Sequence, residues 1–423
     1  MSLNRVCIVA SKRIPFARSG SAYLRKTNLQ LVAQCLKSLV SELSLEGKTI
    51  GEVALGAVNK HSYDFGLARE AVVESGLNLS TPATDVQKAC GTSLETTIML
   101  ANKIALGQID CAIAAGVDTN SDIPVELQKG LTDSLSQINY SKTIGQKLQA
   151  LAGIRPGDLK LRFPAIKEPR TGLSMGESCE VMAKTWKISR EEQDQLTYES
   201  HKKATMAYEE GFYSDMIVPA FGLEKDNILR PDTTVEKLSK LRAAFDRSES
   251  GTLTAGNSTS LTDGASCVFL CSEDYAKENN LDVLAYFKTG HSSAVNYLGD
   301  EGLLMAPAYA VAQILQREGL TLDDFDFYEI HEAFAAQVLC TLKAWEDDSF
   351  CKNKLGLDKA LGSIDREKLN VKGGSLAVGH PFAATGTRIV GSLAKILNEK
   401  GSGRGLISIC TAGGMGVCAV VEK

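Results

Sequence analysis

Histidine is scarce in this chain: 5 residues among 423, at positions 61, 201, 291, 331 and 380. No apolar run approaches the ~18 residues of a membrane span; the longest, such as CAIAAGV at 111–117, are strand-sized. None of the 11 cysteines forms a CxxC pair or a Cys/His cluster at metal-ligand spacing, which argues against a zinc site. They are scattered and odd in number, so they read as buried thiols in a reducing, cytoplasmic setting. A large charge of one sign is missing too: 46 Lys and Arg stand against 51 Asp and Glu, a net charge of −5, which disfavours nucleic acid as a partner. With 44% hydrophobic and 23% charged residues, disorder, collagen and a disulfide-dense mini-fold are excluded. The length fits two to three domains at ~150 residues each.

Acidic residues are absent before Glu42, while seven basic ones occur there, from Arg5 to Lys37. That pattern resembles a transit peptide. However, VCIVA at 6–10 has the character of a buried first strand running into KRIPFARSG, so the segment is read as part of the fold.

Strand-like and helix-like segments alternate along the chain, the sign of an α/β fold. VCIVA is followed by a helical stretch near 28–42. DVQKAC precedes a helix in which Leu94, Ile98, Ala101 and Ala105 recur at helical spacing, and CAIAAGV follows. The last third repeats the scheme: YEI at 328–330, a helix near 333–345, a Gly-rich turn, a helix near 385–400 and the strand GLISIC. The order of elements therefore suggests two related halves. Residues 123–245 read as an insertion with its own helices, one of them opened by the capping box of Ser189 and Glu192. Within it, 129–170 holds eight basic and three acidic residues, a local charge of +5. That stretch suits an anionic ligand, a membrane surface or a partner, or simply water.

Four segments carry chemistry. KACGTS at 88–93 sets Cys90 where a strand ends and a helix begins, a place that favours a thiolate. HEAFAAQ at 331–337 sets His331 at a strand end, with Glu332 at a helix start where a carboxylate suits the dipole. GGSLAVGHPFAATG at 373–386 brackets His380 with glycines and fixes the turn with Pro381. CTAGGMG at 410–416 ends an apolar strand in Cys410 and follows it with glycines able to aim backbone N–H groups at an oxyanion. It lacks the following helix and the acidic residue ~20 positions on that a dinucleotide loop needs. Alone, each segment also admits a structural role. Together they supply a thiol, a base, an acid and an oxyanion site, the set that acyl transfer through a thioester requires.

These segments resemble the active-site loops of the thiolases, and TAGNSTSLTDGA at 254–265 resembles another signature of that family. The similarity runs from VCIVASKRIPFARSG to the final strand. GLSMGESCEVMAKTW at 172–186, His rather than Asn at 331, FAATG at 382–386 and the basic 129–170 stretch resemble one branch, the β subunit of fatty-acid β-oxidation complexes of the trifunctional type. Most thiolases have Gly where this chain has Ala383 and Ala412; both alanines fit the branch.

The resemblance implies a five-layered α-β-α-β-α fold of two βαβαβ-type halves. The first would be 1–122 completed by 246–276, the second 277–423, with 123–245 a loop domain that binds coenzyme A. It implies Cys90 as nucleophile, His380 as base and Cys410 as acid and base. His380 and His331 would form one oxyanion site, and the N–H groups of Cys90 and Ala412 another. Arg230 matches a residue packing on adenine, and Thr259 one touching pantetheine. Met175, Phe245, Ala255, Ala333 and Phe334 match its tunnel, while Ser174 stands where many thiolases have His. Coenzyme A is then substrate and product, with no metal or other cofactor. A homodimer or homotetramer is implied, with a separate α subunit or a membrane as partner through 129–170. The rivals are a biosynthetic acetoacetyl-CoA thiolase, a ketoacyl-synthase-type condensing enzyme and a non-catalytic lipid carrier; a second Cys in CTAGGMG speaks against the condensing enzyme.

Overall fold

The computed structural model describes residues 3–164 and 167–423. Twelve strands occur among them: β1 (Val6–Arg13), β2 (Ala17–Arg18), β3 (Glu52–Gly56), β4 (Ala83–Asp85), β5 (Cys111–Asp118), β6 (Glu126–Leu127), β7 (Leu161–Arg162), β8 (Thr262–Ser272), β9 (Ala285–Ala294), β10 (Phe327–Ile330), β11 (Arg404–Thr411) and β12 (Met415–Glu422). Nine follow one hydrogen-bonded path, β10-β11-β12-β9-β1-β8-β5-β3-β4, with β2 alongside β8. The middle of the path is an antiparallel pair, β1 with β9. On one side β8 runs antiparallel to β1 and β5, and β5 parallel to β3. On the other, β12 runs antiparallel to β9 and β11, and β11 parallel to β10. The two wings thus have the same wiring, which gives the repeated order of elements a geometric meaning.

Side-chain alternation divides each wing between two cores. In β5, Ile113, Ala115 and Val117 face the helices Asn28–Glu42 and Leu67–Ser75. Ala112 and Ala114 face inward, onto the helices Thr92–Ala105 and Thr385–Lys400. In β12, Val417, Ala419 and Val421 face the same inner pair, while Cys418 and Val420 face the helices Ala306–Glu318 and Ala335–Glu346. The layers are therefore α-β-α-β-α, as the resemblance implied. The central helices are buried on nearly every side, so small residues are needed where they meet. A side chain at Gly386 would lie 2.1 Å from the Leu94 backbone nitrogen. Because both helices begin at this contact, their N-termini and the loops before them come together.

The basic N-terminal stretch is in the fold, as expected: all eight residues of β1 are buried. Arg13 makes a buried two-point ion pair with Asp226, at 2.7 and 2.8 Å. Within 123–245 the helices differ. Met175–Thr185 and Arg190–Glu209 bury Cys179, Met182, Ala183 and Leu196 against Ala335–Glu346. Lys129–Tyr140 and Ile144–Ala152 bury only Ser134 and Ala150. Among the described residues no helix is long and apolar enough to cross a membrane.

Candidate active site

Ala89 has φ 44°, a left-handed backbone uncommon outside glycine, and it turns Cys90 into the space between the two wings. Gly91 follows because a side chain there would meet Val417 and Thr411 at 2.7 and 2.8 Å. Of the eleven cysteines, ten are buried, Cys410 among them, and Cys90 alone has partial access to solvent.

His380 Nε2 lies 3.1 Å from Cys90 Sγ. The ring is fixed at its other nitrogen, where Nδ1 is 2.6 Å from Thr385 Oγ1. Thr385 in turn donates to the Pro381 carbonyl at 3.3 Å, so its oxygen accepts from His380 Nδ1–H. That tautomer presents a lone pair to the thiol, as a base must. Gly379, at φ 98°, lets the chain reach the His380 N–H bond to Thr262 Oγ1 at 2.8 Å.

His331 stacks obliquely on His380, with ring centroids 4.0 Å apart. Its Nδ1 is 2.7 Å from Ser375 Oγ, and its buried Nε2 has no partner among the described residues. Cys90, His331 and His380 offer ligand atoms all within 4.8 Å of one another, a Cys/His/His set that a soft cation would find. Spacing along the chain does not reveal it, because three distant loops supply it. Cys410 closes the site from β11, and Ala412 in the following turn directs its N–H toward the Cys90 sulfur, as does the Cys90 N–H.

Electrostatics correct one expectation. The helix start does not make Cys90 a resting thiolate. Burial and the nearby Asp118 carboxylate push the thiol up to about 12, and the two N–H groups offset only part of this. Burial, helped by the Arg388 charge, brings His380 down to about 3. His331 also falls well below its ordinary value through burial, with His380 and Arg388 adding to it. Burial also raises Cys410 well above its ordinary value, with Cys90 adding to it. These shifts favour a neutral thiol beside neutral imidazoles.

Glu332 corrects a second. It precedes the helix Ala335–Glu346 by three residues and does not cap it. Its buried carboxylate accepts from Ser200 Oγ (2.7 Å), Asn370 Nδ2 (2.6 Å) and Leu376 N (3.1 Å), tying the His331 loop to the loop before His380. Asp118 does the same for the other wing, accepting from Val58, Asn59 and Ala383 N–H at 2.9, 2.7 and 2.7 Å. Glu168 Oε1 accepts from Gly413 N–H at 2.8 Å and so steadies the turn that holds Ala412. Sequence reading assigned none of these anchors, nor Thr385, Ser375 and Arg388.

The pantetheine candidates fall into groups. Met175, Phe245, Ala333 and Phe334 share one apolar cluster, with the rings of Phe245 and Phe334 edge to face at 5.8 Å. Thr259 joins it, its N–H on the Ala333 carbonyl (3.0 Å) and its hydroxyl on the Ser375 carbonyl (3.2 Å). Ala255 is exposed beside them. Arg230 stands apart and exposed, its backbone held by His201 Nδ1 at 3.3 Å. Ser174 caps the helix Met175–Thr185 in a capping box with Glu177. His61 and His291 are fixed by surface partners, Asp122 and Gln313.

Comparisons with known proteins agree with this architecture. The thiolase N-terminal domain family matches residues 6–274 and the thiolase C-terminal domain family residues 281–423. The chain is 41% identical to a 3-ketoacyl-CoA thiolase of Pectobacterium atrosepticum, covering 99% of this chain and 97% of that one. It is 40% identical, with the same coverage, to one from Vibrio cholerae. Among solved structures, the Bacillus anthracis acetyl-CoA acetyltransferase superposes with a TM-score of 0.83 at 30% identity, covering 100% of this chain and 99% of that one. Human mitochondrial 3-ketoacyl-CoA thiolase gives 0.82 at 26% identity, covering 100% of both. With both domain families matched end to end and the layered fold shared, the chain belongs to the thiolase family of acyltransferases.

Proposed function

We propose that this thiolase cleaves 3-ketoacyl-CoA with coenzyme A to acyl-CoA and acetyl-CoA, as a degradative enzyme of fatty-acid β-oxidation in the cytoplasm. The observation that carries the reading is the 3.1 Å contact of Cys90 Sγ with a His380 whose other nitrogen is held by Thr385. Cys90 attacks the keto carbon while His380 takes its proton. The bond between C2 and C3 breaks, the electron pair leaves as the enolate of acetyl-CoA, and Cys410 protonates that carbon. His380 and His331 hold the enolate oxygen. Cys410 then takes the proton of an incoming CoA thiol, which attacks the Cys90 thioester. The N–H groups of Cys90 and Ala412 hold the tetrahedral oxygen, and Cys90 leaves and recovers its proton from His380. Coenzyme A enters as substrate, and this chemistry asks for no metal or redox cofactor.

Met175, Phe245, Ala255, Ala333, Phe334 and Thr259 would line the pantetheine tunnel, with Arg230 outside it against adenine. The human mitochondrial enzyme solved with CoA, 26% identical at TM-score 0.81, supports a CoA site in this fold. The same groups run the reaction backwards, and similarity to an acetyl-CoA acetyltransferase supports acetoacetyl-CoA synthesis as the second reading. A profile of kcat/KM over 3-ketoacyl-CoAs from C4 to C16 decides. Rising or sustained efficiency beyond C4 fits the degradative enzyme; activity confined to C4 overturns it.

The reading includes a homo-oligomer and a docking face on 129–170 for an α subunit or an anionic lipid surface. Support comes from exposed apolar residues, Tyr140 and Ile144 at 81% and 78% exposure, set beside Lys142 and Lys147. Reversing Lys142, Lys147 and Lys160 to Glu should weaken that binding; unchanged co-purification and liposome binding would leave the stretch as a solvated surface.

A further inference from the structure

The two imidazoles of the site are wired oppositely, and the difference points to two residues outside the reacting set. His380 Nδ1 faces a hydroxyl that already donates elsewhere, so His380 keeps its proton on Nδ1. His331 Nδ1 faces Ser375 Oγ, and that oxygen already accepts from Arg388 Nη2 at 2.9 Å. Among the described residues, the Ser375 hydroxyl proton has no acceptor other than His331 Nδ1. We infer that Arg388 and Ser375 are positioning residues that set His331 as the Nε2–H tautomer, making its unpartnered Nε2 a hydrogen-bond donor aimed at the substrate oxygen.

The geometry over-determines this arrangement. Ser375 is held at the right place because Glu332, next to His331 in the chain, binds the N–H of Leu376, next to Ser375. Ser375 is also fixed through its carbonyl by Thr259 Oγ1. Arg388 is 2% exposed, and the buried Glu329 carboxyl group acts on its charge favourably. A donor at His331 Nε2 is otherwise a buried polar atom with nothing to bind, a costly arrangement unless a ligand supplies the acceptor. With the opposite tautomer, a lone pair would face the enolate oxygen and repel it. A ring nitrogen's tautomer is decided by the bond the other nitrogen makes, and here two neighbouring rings are given opposite answers by two hydroxyls.

This rests on the oxyanion role proposed for His331, and the test separates the two. In protein labelled with ¹⁵N-histidine, ring nitrogen shifts report the tautomer, with the His331 signals identified by their loss in His331→Asn. The wild type should show His331 protonated on Nε2 near pH 7, and Ser375→Ala should move that proton wholly or partly to Nδ1. In the wild-type background Ser375→Ala should lower kcat by roughly 10–100-fold with KM changed less than about 2-fold, the scale of losses from outer-shell partners. In the His331→Asn background the same change should cost less than about 2-fold, because residues acting through one another are not additive. A wild-type His331 protonated on Nδ1 overturns the inference, as does an equal loss from Ser375→Ala in both backgrounds. Failure of the wild type to cleave any 3-ketoacyl-CoA would instead sink the functional reading, and the ring shifts would still decide the tautomer.

Discussion

Thr92 and Thr385 occupy the same place in the two halves, each opening one of the central helices with its hydroxyl folded back on the preceding turn. Thr92 Oγ1 donates to the Ala89 carbonyl at 2.7 Å and accepts from Lys88 N–H at 2.8 Å. Thr385 Oγ1 donates to the Pro381 carbonyl but accepts from an imidazole, His380 Nδ1. In the first half the hydroxyl serves only the backbone, fastening the strained turn that projects Cys90. In the second, the same device has been turned outward to set a base. One scaffold, repeated, thus supplies the proposed nucleophile from one wing and the proposed proton acceptor from the other, and the contact of Gly386 with Leu94 draws the two helix starts together.

The division of labour is sharpest at the nucleophile. Cys90→Ser should lower thiolysis of acetoacetyl-CoA by roughly 10⁴-fold or more, the scale seen when a covalent nucleophile is removed. Its melting temperature should stay near that of the wild type, since serine keeps a small side chain able to meet His380 and the same N–H groups. Near-normal turnover would remove the first half from the chemistry.

The paired threonines give a smaller and more selective effect. Thr385→Val keeps the volume and deletes the acceptor for His380 Nδ1–H. A drop of about 10–100-fold in kcat is expected, with KM little changed, because the base loses its tautomer and orientation. Thr92→Val should instead cost about 1–2 kcal/mol of stability in urea unfolding, since the half-buried Lys88 N–H loses its acceptor and the Ala89 carbonyl loses one of two donors. Its kcat should move less than that of Thr385→Val. Equal kinetic losses from the two would mean that both hydroxyls are turn fasteners and that His380 needs no second partner.

How far these roles could be read without coordinates depends on where their partners lie. Cys90, His331, His380 and Cys410 stand beside glycines at element ends, and local chemistry marks them. The α/β order of elements was legible for a similar reason, since the apolar run CAIAAGV and the helical spacing in 94–105 are local signals, whereas the five layers came from the resemblance. Thr385 is only five residues from His380, yet a threonine opening a helix has an ordinary explanation in capping. Ser375 is 44 residues from His331, and Ser200 is 132 from Glu332, so only the folded chain joins them. The upward shift of the Cys90 thiol was not legible, because a helix start is visible in sequence while the packing around the sulfur and the nearby Asp118 carboxylate are not. Cys90, His331 and His380 were each marked, but their approach to within 4.8 Å of one another was not, because spacing along a chain says nothing about loops that meet in space.

The smallest effect contrasts two buried titratable groups, one from each half. Burial lifts Asp118 to about 7 despite its three N–H donors, from an ordinary value of 3.8. Burial and Arg388 bring His380 down to about 3, from 6.5. By linkage, stability rises with pH wherever the unfolded chain binds more protons than the folded one. Between pH 3 and 6.5 the unfolded His380 binds the extra proton, so its contribution is complete above 6.5 and is lost as pH falls toward 3. For Asp118 the folded state binds the extra proton, so its contribution is complete below about 4 and is lost as pH rises toward 7. The two slopes oppose each other, each limited to one proton, or about 1.4 kcal/mol per pH unit. Urea unfolding of Asp118→Asn and His380→Gln from pH 4 to 7 should therefore tilt the stability curve in opposite directions. Relative to wild type, His380→Gln should lose stability as pH rises and Asp118→Asn should gain it. Parallel curves for the two variants would mean that the halves do not hold their buried groups in opposite protonation states, and the electrostatic side of the comparison would fall.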